Sequence, residues 1–243
     1  MGEELIQDEG TPRDSHLDRV IVAIDGPAGA GKSTVARRLA KELGYMYMDT
    51  GAMYRAFAWS VSRSGLDLSN EGGLRKVLDE TEVNLIEKKG DHRVLLNGLD
   101  ITDEIRTPEL SQMASRVSSL KEVRERMVGL QREMGAQGGV VAEGRDIGTV
   151  VFPRAEVKIY LDASQQERAR RRYQELEAQG KKVTLEETLE EMIERDRRDQ
   201  ERDISPLCKA EDAIVIDSTS LEVESVVHSI LQAVKKKMAY NKK

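Results

Sequence analysis

The stretch that most constrains this chain runs from Val20 to Ser33, VIVAIDGPAGAGKS. Val20 to Ile24 is a continuous, mostly β-branched apolar run, the mark of a strand buried on both faces. Gly26 to Ser33 then satisfies G-x-x-x-x-G-K-[ST], and a helical pattern follows from Ser33 to Leu43, closed by Gly44. Strand, glycine-rich turn and helix in that order build a phosphate cradle. Gly26, Gly29 and Gly31 let backbone N–H groups turn inward on an anion, and the helix N-terminus adds its partial positive charge. Lys32 is placed to reach β- and γ-phosphates, and the Ser33 hydroxyl to ligate Mg²⁺. The bland alternative, a glycine-rich turn without a ligand, is disfavoured by the strand before it and the helix after it. The motif therefore predicts a P-loop binding a purine nucleoside triphosphate with Mg²⁺.

The rest of the chain repeats the strand–helix rhythm with one interruption. Tyr45 to Met48 reads as a second strand and Gly51 to Arg63 as a helix. Val140 to Ala142, Val157 to Leu161 and Ala213 to Ile216 read as further buried strands, with helical stretches between most of them. This alternation predicts an α/β fold of the P-loop NTPase type, a parallel sheet flanked by helices. Between them lie three short runs, Val83 to Ile86, Arg93 to Leu96 and Leu99 to Ile101, joined by KKGD and by Asn97-Gly98. Asn-Gly is a two-residue hairpin turn, because both residues tolerate positive φ. A small antiparallel meander follows from this, with two helices after it. Thr107-Pro108 supplies an N-cap and a first-position proline, and Ser119 to Glu122 spells a capping box for a helix ending near Gly135. Another helix starts at Ser164, with Glu167 completing a capping box, and ends before Gly180. The expected organisation is a flexible tail over residues 1–18, a core over 19–65 and 136–234, an insertion over 66–135, and a basic, solvated tail over 235–243.

Composition narrows the class. Lys plus Arg number 38 against 44 Asp plus Glu, a net charge of −6. That argues against a general binder of nucleic acid or acidic membrane, whose affinity comes from excess positive charge. Aromatics at 4% are too few for a single-strand binder built on base stacking. A single cysteine, Cys208, excludes an internal disulfide and a multi-cysteine zinc site, and fits a reducing compartment. No apolar run approaches the ~18 residues of a membrane span, and the polar, acidic start carries no secretory h-region. A soluble, cytoplasmic protein is expected, and without an obvious exposed apolar stripe a monomer.

Any anionic ligand must then be met by local arginines. Arg55 ends MDTGAMYR, and Arg145 with Asp146 follows the strand VVA, at the sheet edge where ligands bind in open α/β folds. Arg168, Arg170, Arg171 and Arg172 crowd one helix. Leu185, Leu189, Met192 and Ile193 form an apolar stripe that continues into Asp196 and Asp199, with Arg195 and Arg202 on its edge. A face that turns from Leu to Asp and Arg is leaving the core for something polar. Each feature also has a plain reading. Arg55 fits a surface helix, Arg168 to Arg172 a solvated face, and Arg195, Asp199 and Arg202 an exposed salt-bridge ladder. A GTPase is disfavoured by the absence of an NKxD stretch.

Taken together, IDGPAGAGKST, DTGAMYR, GRDIGTVVFP, KIYLDAS with the following ERARRR, and ERDRRD closely resemble bacterial cytidylate kinase, a P-loop nucleoside monophosphate kinase. The resemblance runs from about Val20 to Val234. It implies transfer of a phosphoryl group from ATP to CMP and dCMP in pyrimidine nucleotide metabolism, with Mg²⁺. It implies that Gly26, Pro27, Ala28, Gly29, Ala30, Gly31, Lys32, Ser33 and Thr34 hold ATP, Ser33 on the metal. It implies that Arg55, Arg145 and Arg202 hold the CMP phosphate, that Ser115, Arg124 and Asp146 read cytosine, and that Arg195 and Asp199 hold the ribose. Thr50 and Gly51 fall in the first loop of the acceptor pocket. Residues of about 163–185, with the Arg168 to Arg172 helix, become a lid over ATP, and Lys32, Arg145 and Arg171 are the candidate catalytic groups. Glu143 stands where many relatives carry Asp, and Thr50 where some carry Ser. The first 18 residues have no counterpart. The inserted region matches the enlarged monophosphate-binding region of the bacterial type.

Overall fold

The apolar run after Arg19 becomes the middle strand of a sheet because neither of its faces can be left in water. In chain order the elements are β1 (Ile21–Asp25), α1 (Lys32–Leu43), β2 (Met46–Asp49), α2 (Thr50–Ser64), α3 (Glu71–Asp79), β3 (Val83–Lys88), β4 (Asp91–Leu96), β5 (Leu99–Asp100), α4 (Pro108–Val117), α5 (Lys121–Met134), β6 (Val140–Gly144), a π-helical turn (Ile147–Val151), β7 (Val157–Asp162), α6 (Gln165–Ala178), α7 (Leu185–Glu201), β8 (Ile214–Asp217) and α8 (Val223–Asn241). The computed structural model describes residues 19–88 and 90–241; the tail expected over 1–18 lies outside the described residues, as do Lys242 and Lys243.

Five strands form a parallel sheet in the order β2-β6-β1-β7-β8. Val22, Ala23 and Ile24 are fully buried, as are Val141 and Ala142 beside them. On one face, Val35 and Leu39 of α1 meet Ile230 and Val234 of α8 over Ile24 and Ile159. On the other side of the molecule, Phe57 and Val61 of α2 gather Leu74, Leu78, Val83, Leu96, Ile101 and Met127 into a second core. That second core carries the inserted meander, whose strands pair in the order β3-β4-β5. Asn97 and Gly98 turn between β4 and β5 with φ of 49° and 79°, as the hairpin reading requires. Because the sheet is parallel, Asp25, Asp49, Gly144 and Asp162 all end at one edge, facing one crevice.

Local readings diverge from the structure in a few places. α3 was not legible, because Gly72 and Gly73 sit in its first turn and weaken the pattern; Asn70 caps it on Gly73 N. The capping box at Ser119 does not form. α4 ends only just before it, so Ser119 Oγ closes that helix on Arg116 O at 2.7 Å, and α5 starts after Leu120 without a side-chain cap. Ser164 does cap Glu167 N, but the Glu167 carboxylate turns outward to Arg170 and Arg171. The apolar stripe of α7 is rotated from its expected setting: Leu185 and Ile193 are exposed, while Thr188, Met192, Asp196 and Asp199 are buried. Exposed Lys235 to Lys237 continue α8 to Asn241. Among the described residues no helix is long and apolar enough to cross a membrane.

Candidate active site

The turn between β1 and α1 works only with glycine at its start. Gly26 has φ +150°, and a Cβ there would stand 1.9 Å from the Leu161 carbonyl oxygen of β7. Gly29 and Gly31 also lie in the left-handed region, at +73° and +89°. Gly26→Ala is expected to destabilise the fold by about 3 kcal/mol and to abolish triphosphate binding, checked by urea denaturation and MgATP titration. Lys32 is buried beneath the loop, and its Nζ donates to Pro27 O at 2.6 Å. Burial, then the nearby Arg145, pushes its ammonium down to about 7. A buried cation held in such poor company is ready for an anion.

Two clefts meet at this loop. On one side, a cavity of about 190 Å³ is lined by Lys32 and Ser33, the start of α2, α4, α5, the end of β6 and α7. It holds every acceptor-side residue read from the sequence: Thr50, Gly51, Arg55, Ser115, Arg124, Arg145, Asp146, Arg195, Asp199 and Arg202. Thr50 Oγ1 donates to Glu143 O at 2.6 Å, which locks α2 onto β6. Asp49 caps α2 on Ala52 N and pairs with Arg55 at 3.1 Å. Asp199 accepts from Arg145 Nε at 2.9 Å and from Ser115 Oγ at 3.1 Å. Burial works against the Asp199 charge, but Arg145, Arg195 and Arg202 outweigh it and hold the carboxyl below its ordinary value. Arg124 Nη1 donates to Asp146 at 2.6 Å, and Arg202 Nη2 stands 3.6 Å from the same carboxylate without hydrogen-bonding to it. Burial pushes Asp146 up despite these arginines. Among the described residues, the buried Arg195 Nε and Arg202 Nη2 have no hydrogen-bond partner. Burial, then Arg145, lowers Arg195 to about 10.

On the other side, an open cleft of about 740 Å³ runs between Gly29–Val35, α6 and the segment after β8. Arg171 lies here and not in the acceptor cavity. Its Nε donates to Glu167 at 2.8 Å and its Nη atoms to Ser218 Oγ and O at 3.0 and 2.6 Å. Ser218 Oγ in turn donates to Ala30 O at 3.2 Å. Arg172 lines both clefts, Arg170 is exposed, and Arg168 is buried away from them. Gly29, Lys32 and Ser33 line both clefts and form the wall they share.

Several residues of this region were not found by sequence reasoning. Asp25, buried at the end of β1, accepts from Ile147 N and Gly148 N at 2.7 Å each, and so ties the P-loop strand to the segment carrying Arg145 and Asp146. Its one signal was a carboxylate closing an apolar run. Burial raises it to about 6, against the pull of those two N–H groups. A folded value above the unfolded one means that ionisation opposes folding, so this contribution to stability is present at low pH and lost as pH rises through 6. Against Asp25→Asn, which does not titrate, the native chain is expected to gain up to about 3 kcal/mol between about pH 7 and pH 4, measured by denaturant titration at each pH. Tyr54 reads as an ordinary core residue of α2, yet its ring lies under Arg124 at 5.3 Å and its buried hydroxyl has no partner among the described residues. Tyr47 gave no signal either; its hydroxyl donates to the buried Glu143 at 2.6 Å.

A phosphate cradle sharing a wall with a pocket rich in guanidiniums, on a parallel sheet with helices on both faces, defines a kinase of the P-loop class. A likeness of fold alone links it to an uncharacterized protein from Eubacterium ventriosum ATCC 27560, with a TM-score of 0.50 at 14% identity, covering 89% of this chain and 99% of that one. The family model described as cytidylate kinase matches residues 22–236, and the chain belongs to the cytidylate kinase family. It is 52% identical over 216 residues to the cytidylate kinase of Carboxydothermus hydrogenoformans, covering 89% of this chain and 97% of that relative. It is 49% identical over 219 residues to that of Bacillus subtilis, covering 90% and 98%.

Proposed function

We propose that this chain transfers the γ-phosphoryl group of ATP to CMP and dCMP, giving CDP or dCDP and ADP, and works as a cytoplasmic monomer. The observation that carries the reading is the pair of buried guanidinium nitrogens, Arg195 Nε and Arg202 Nη2, that have no hydrogen-bond partner among the described residues and lie across the P-loop wall from the triphosphate cleft. A phosphate monoester loses its second proton near pKa ~6, so the acceptor is already a nucleophile at neutral pH and needs no general base. The difficulty is bringing two polyanions into line. Arginines suit that task because they stay charged and grip phosphate with paired N–H groups. Arg55, Arg145 and Arg202 hold the acceptor phosphate in this reading. Arg195 and Asp199 hold the sugar. Asp146 accepts from the cytosine N4 amino group, Arg124 donates to N3 or O2, and Ser115 supports them.

Lys32 sits at the seam where the moving phosphoryl group passes, with Arg171 and Arg145 on either side of it. The donor set fits Mg²⁺. Ser33 lines both clefts, and the buried Glu143 carboxylate is pushed up by burial and by Asp49, so a nearby cation would relieve it. No protein cage of three or more acidic, His or Cys ligands exists among the described residues, which suits an ion that keeps waters and takes phosphate oxygens. When bound it neutralises charge on the β- and γ-phosphate oxygens. A coupled ADP-release assay at fixed MgATP, with CMP, dCMP, UMP and AMP offered in turn, tests the reading. CMP and dCMP are expected to accelerate ADP release strongly; no acceleration by CMP overturns it.

A further inference from the structure

One residue of the P-loop, Ala28, is held by buried side chains at both its N–H and its carbonyl. Ala28 N donates to Asp196 Oδ1 at 3.0 Å, and Ala28 O accepts from Arg168 Nη1 at 2.9 Å. Arg168 and Asp196 are themselves paired, and Arg168 Nε is held by Ala163 O at 3.1 Å. Both side chains are buried. One carboxylate and one guanidinium thus grip the two successive peptide units on either side of the Ala28 Cα. The fit continues at Gly29, where a Cβ would stand 2.7 Å from Met192 Cε and 2.8 Å from Arg168 O. Ala28, Ala169 and Met192 close a small apolar cluster around the grip.

Asp196 belongs to α7, the helix that carries Arg195 and Asp199 into the acceptor cavity. α7 thus lines the acceptor cavity with Met192, Arg195 and Asp199 and reaches the P-loop with Asp196 on Ala28 and Met192 beside Gly29. Among the described residues Arg195 Nε has no hydrogen-bond partner, and Asp199 is held by Arg145 and Ser115. A monophosphate that takes up Arg145, Arg195 and Asp199 has to break these contacts, and that is where its binding can act on α7.

We propose that Asp196 and Arg168 are a positioning pair that couples occupancy of the acceptor cavity to the shape of the P-loop, so that each substrate tightens the site for the other. The proposal rests on CMP being the acceptor. The same geometry places the first turn of α6 against the floor of the P-loop.

Hydrogen exchange on the intact chain reads this directly. CMP alone is expected to protect both the acceptor segments, 50–55 and 144–148, and the P-loop amides of 26–33. Protection of the acceptor segments without the P-loop overturns the coupling. Failure of CMP to protect either region overturns the acceptor assignment instead, which keeps the two claims separate. Asp196→Asn keeps the shape but weakens the grip. The double replacement Arg168→Met with Asp196→Leu removes the buried pair without leaving an unpaired charge, an exchange that buried ion pairs often tolerate. In the native chain, CMP is expected to tighten binding of a non-hydrolysable ATP analogue about fivefold or more, the usual range for such coupling. In either variant the factor is expected to fall to about one while CMP still protects 144–148. A coupling factor unchanged in a folded variant overturns the proposal.

Discussion

Lys32→Met is expected to lower kcat by about 10³-fold or more, some 4 kcal/mol of transition-state stabilisation, while leaving the fold intact. Removing a single preorganised donor from a water-excluded site costs about 10²- to 10³-fold, and a phosphate facing Lys32 favours its charged form. It lies buried at the wall shared by the two clefts, with its Nζ parked on Pro27 O at 2.6 Å. In the proposed transfer the phosphoryl group crosses that wall, so the ammonium counts most when charge is in transit and less when ATP merely rests. The loss should therefore fall on kcat more than on KM for ATP. Stability is expected to move the other way. The fold pushes the Lys32 ammonium down to about 7, so holding it charged opposes folding at neutral pH, and an apolar side chain of similar length removes that cost. Steady-state kinetics with CMP and a thermal melt check both halves. A near-normal kcat would show that Lys32 does not act on the transferring group.

What could be read from the amino acids alone was the part whose causes are local. VIVAI followed by GPAGAGKS specifies strand, turn and helix within one stretch, and Asn97-Gly98 specifies its hairpin, because each rests on backbone preferences of adjacent residues. The helix-capping readings were weaker, since a hydroxyl has more than one place to go. Thr107 caps Leu110 N as expected, but Ser119 is taken by the preceding helix. The arginines of the acceptor cavity could be suspected as positions but not joined. Arg145 and Asp199 meet across 54 residues, and Ser115 reaches Asp199 across 84. Resemblance to a family grouped them; periodicity alone left a salt-bridge ladder equally open. Asp25, Tyr54 and the grip of Arg168 and Asp196 on Ala28 escaped both routes. Their roles depend on partners more than a hundred residues away or on the absence of a partner, and neither leaves a trace in local pattern.

Asp146→Asn is expected to lower kcat/KM for CMP by about 10³-fold and to shrink the preference for CMP over UMP by about 10²-fold. The carboxylate offers only acceptor oxygens to the base. In the proposed reading cytosine meets it with the N4 amino group, whereas uracil would present a carbonyl there and be repelled. Sites that read a hydrogen-bond pattern in this way reject a misfit by up to ~10⁴-fold. An amide at 146 keeps one acceptor and gains a donor, so it tolerates either base, and the discrimination collapses from both directions. The loss on CMP has a second source. Asp146 is buried between Arg124, at 2.6 Å, and Arg202, at 3.6 Å. Neutralising it leaves two buried guanidiniums facing each other without their shared counter-charge, a change that costs about 3–5 kcal/mol when one partner of a buried pair is removed. The two sources separate by substrate. Loss of the counter-charge disorders the pocket for any monophosphate, so it lowers CMP and UMP alike and leaves their ratio unchanged. Loss of base reading moves the ratio. Kinetics of the variant on both acceptors therefore decide the role: an equal fall on CMP and UMP would reduce Asp146 to a scaffold for Arg124 and Arg202, while a collapsed ratio makes its carboxylate the group that selects the base.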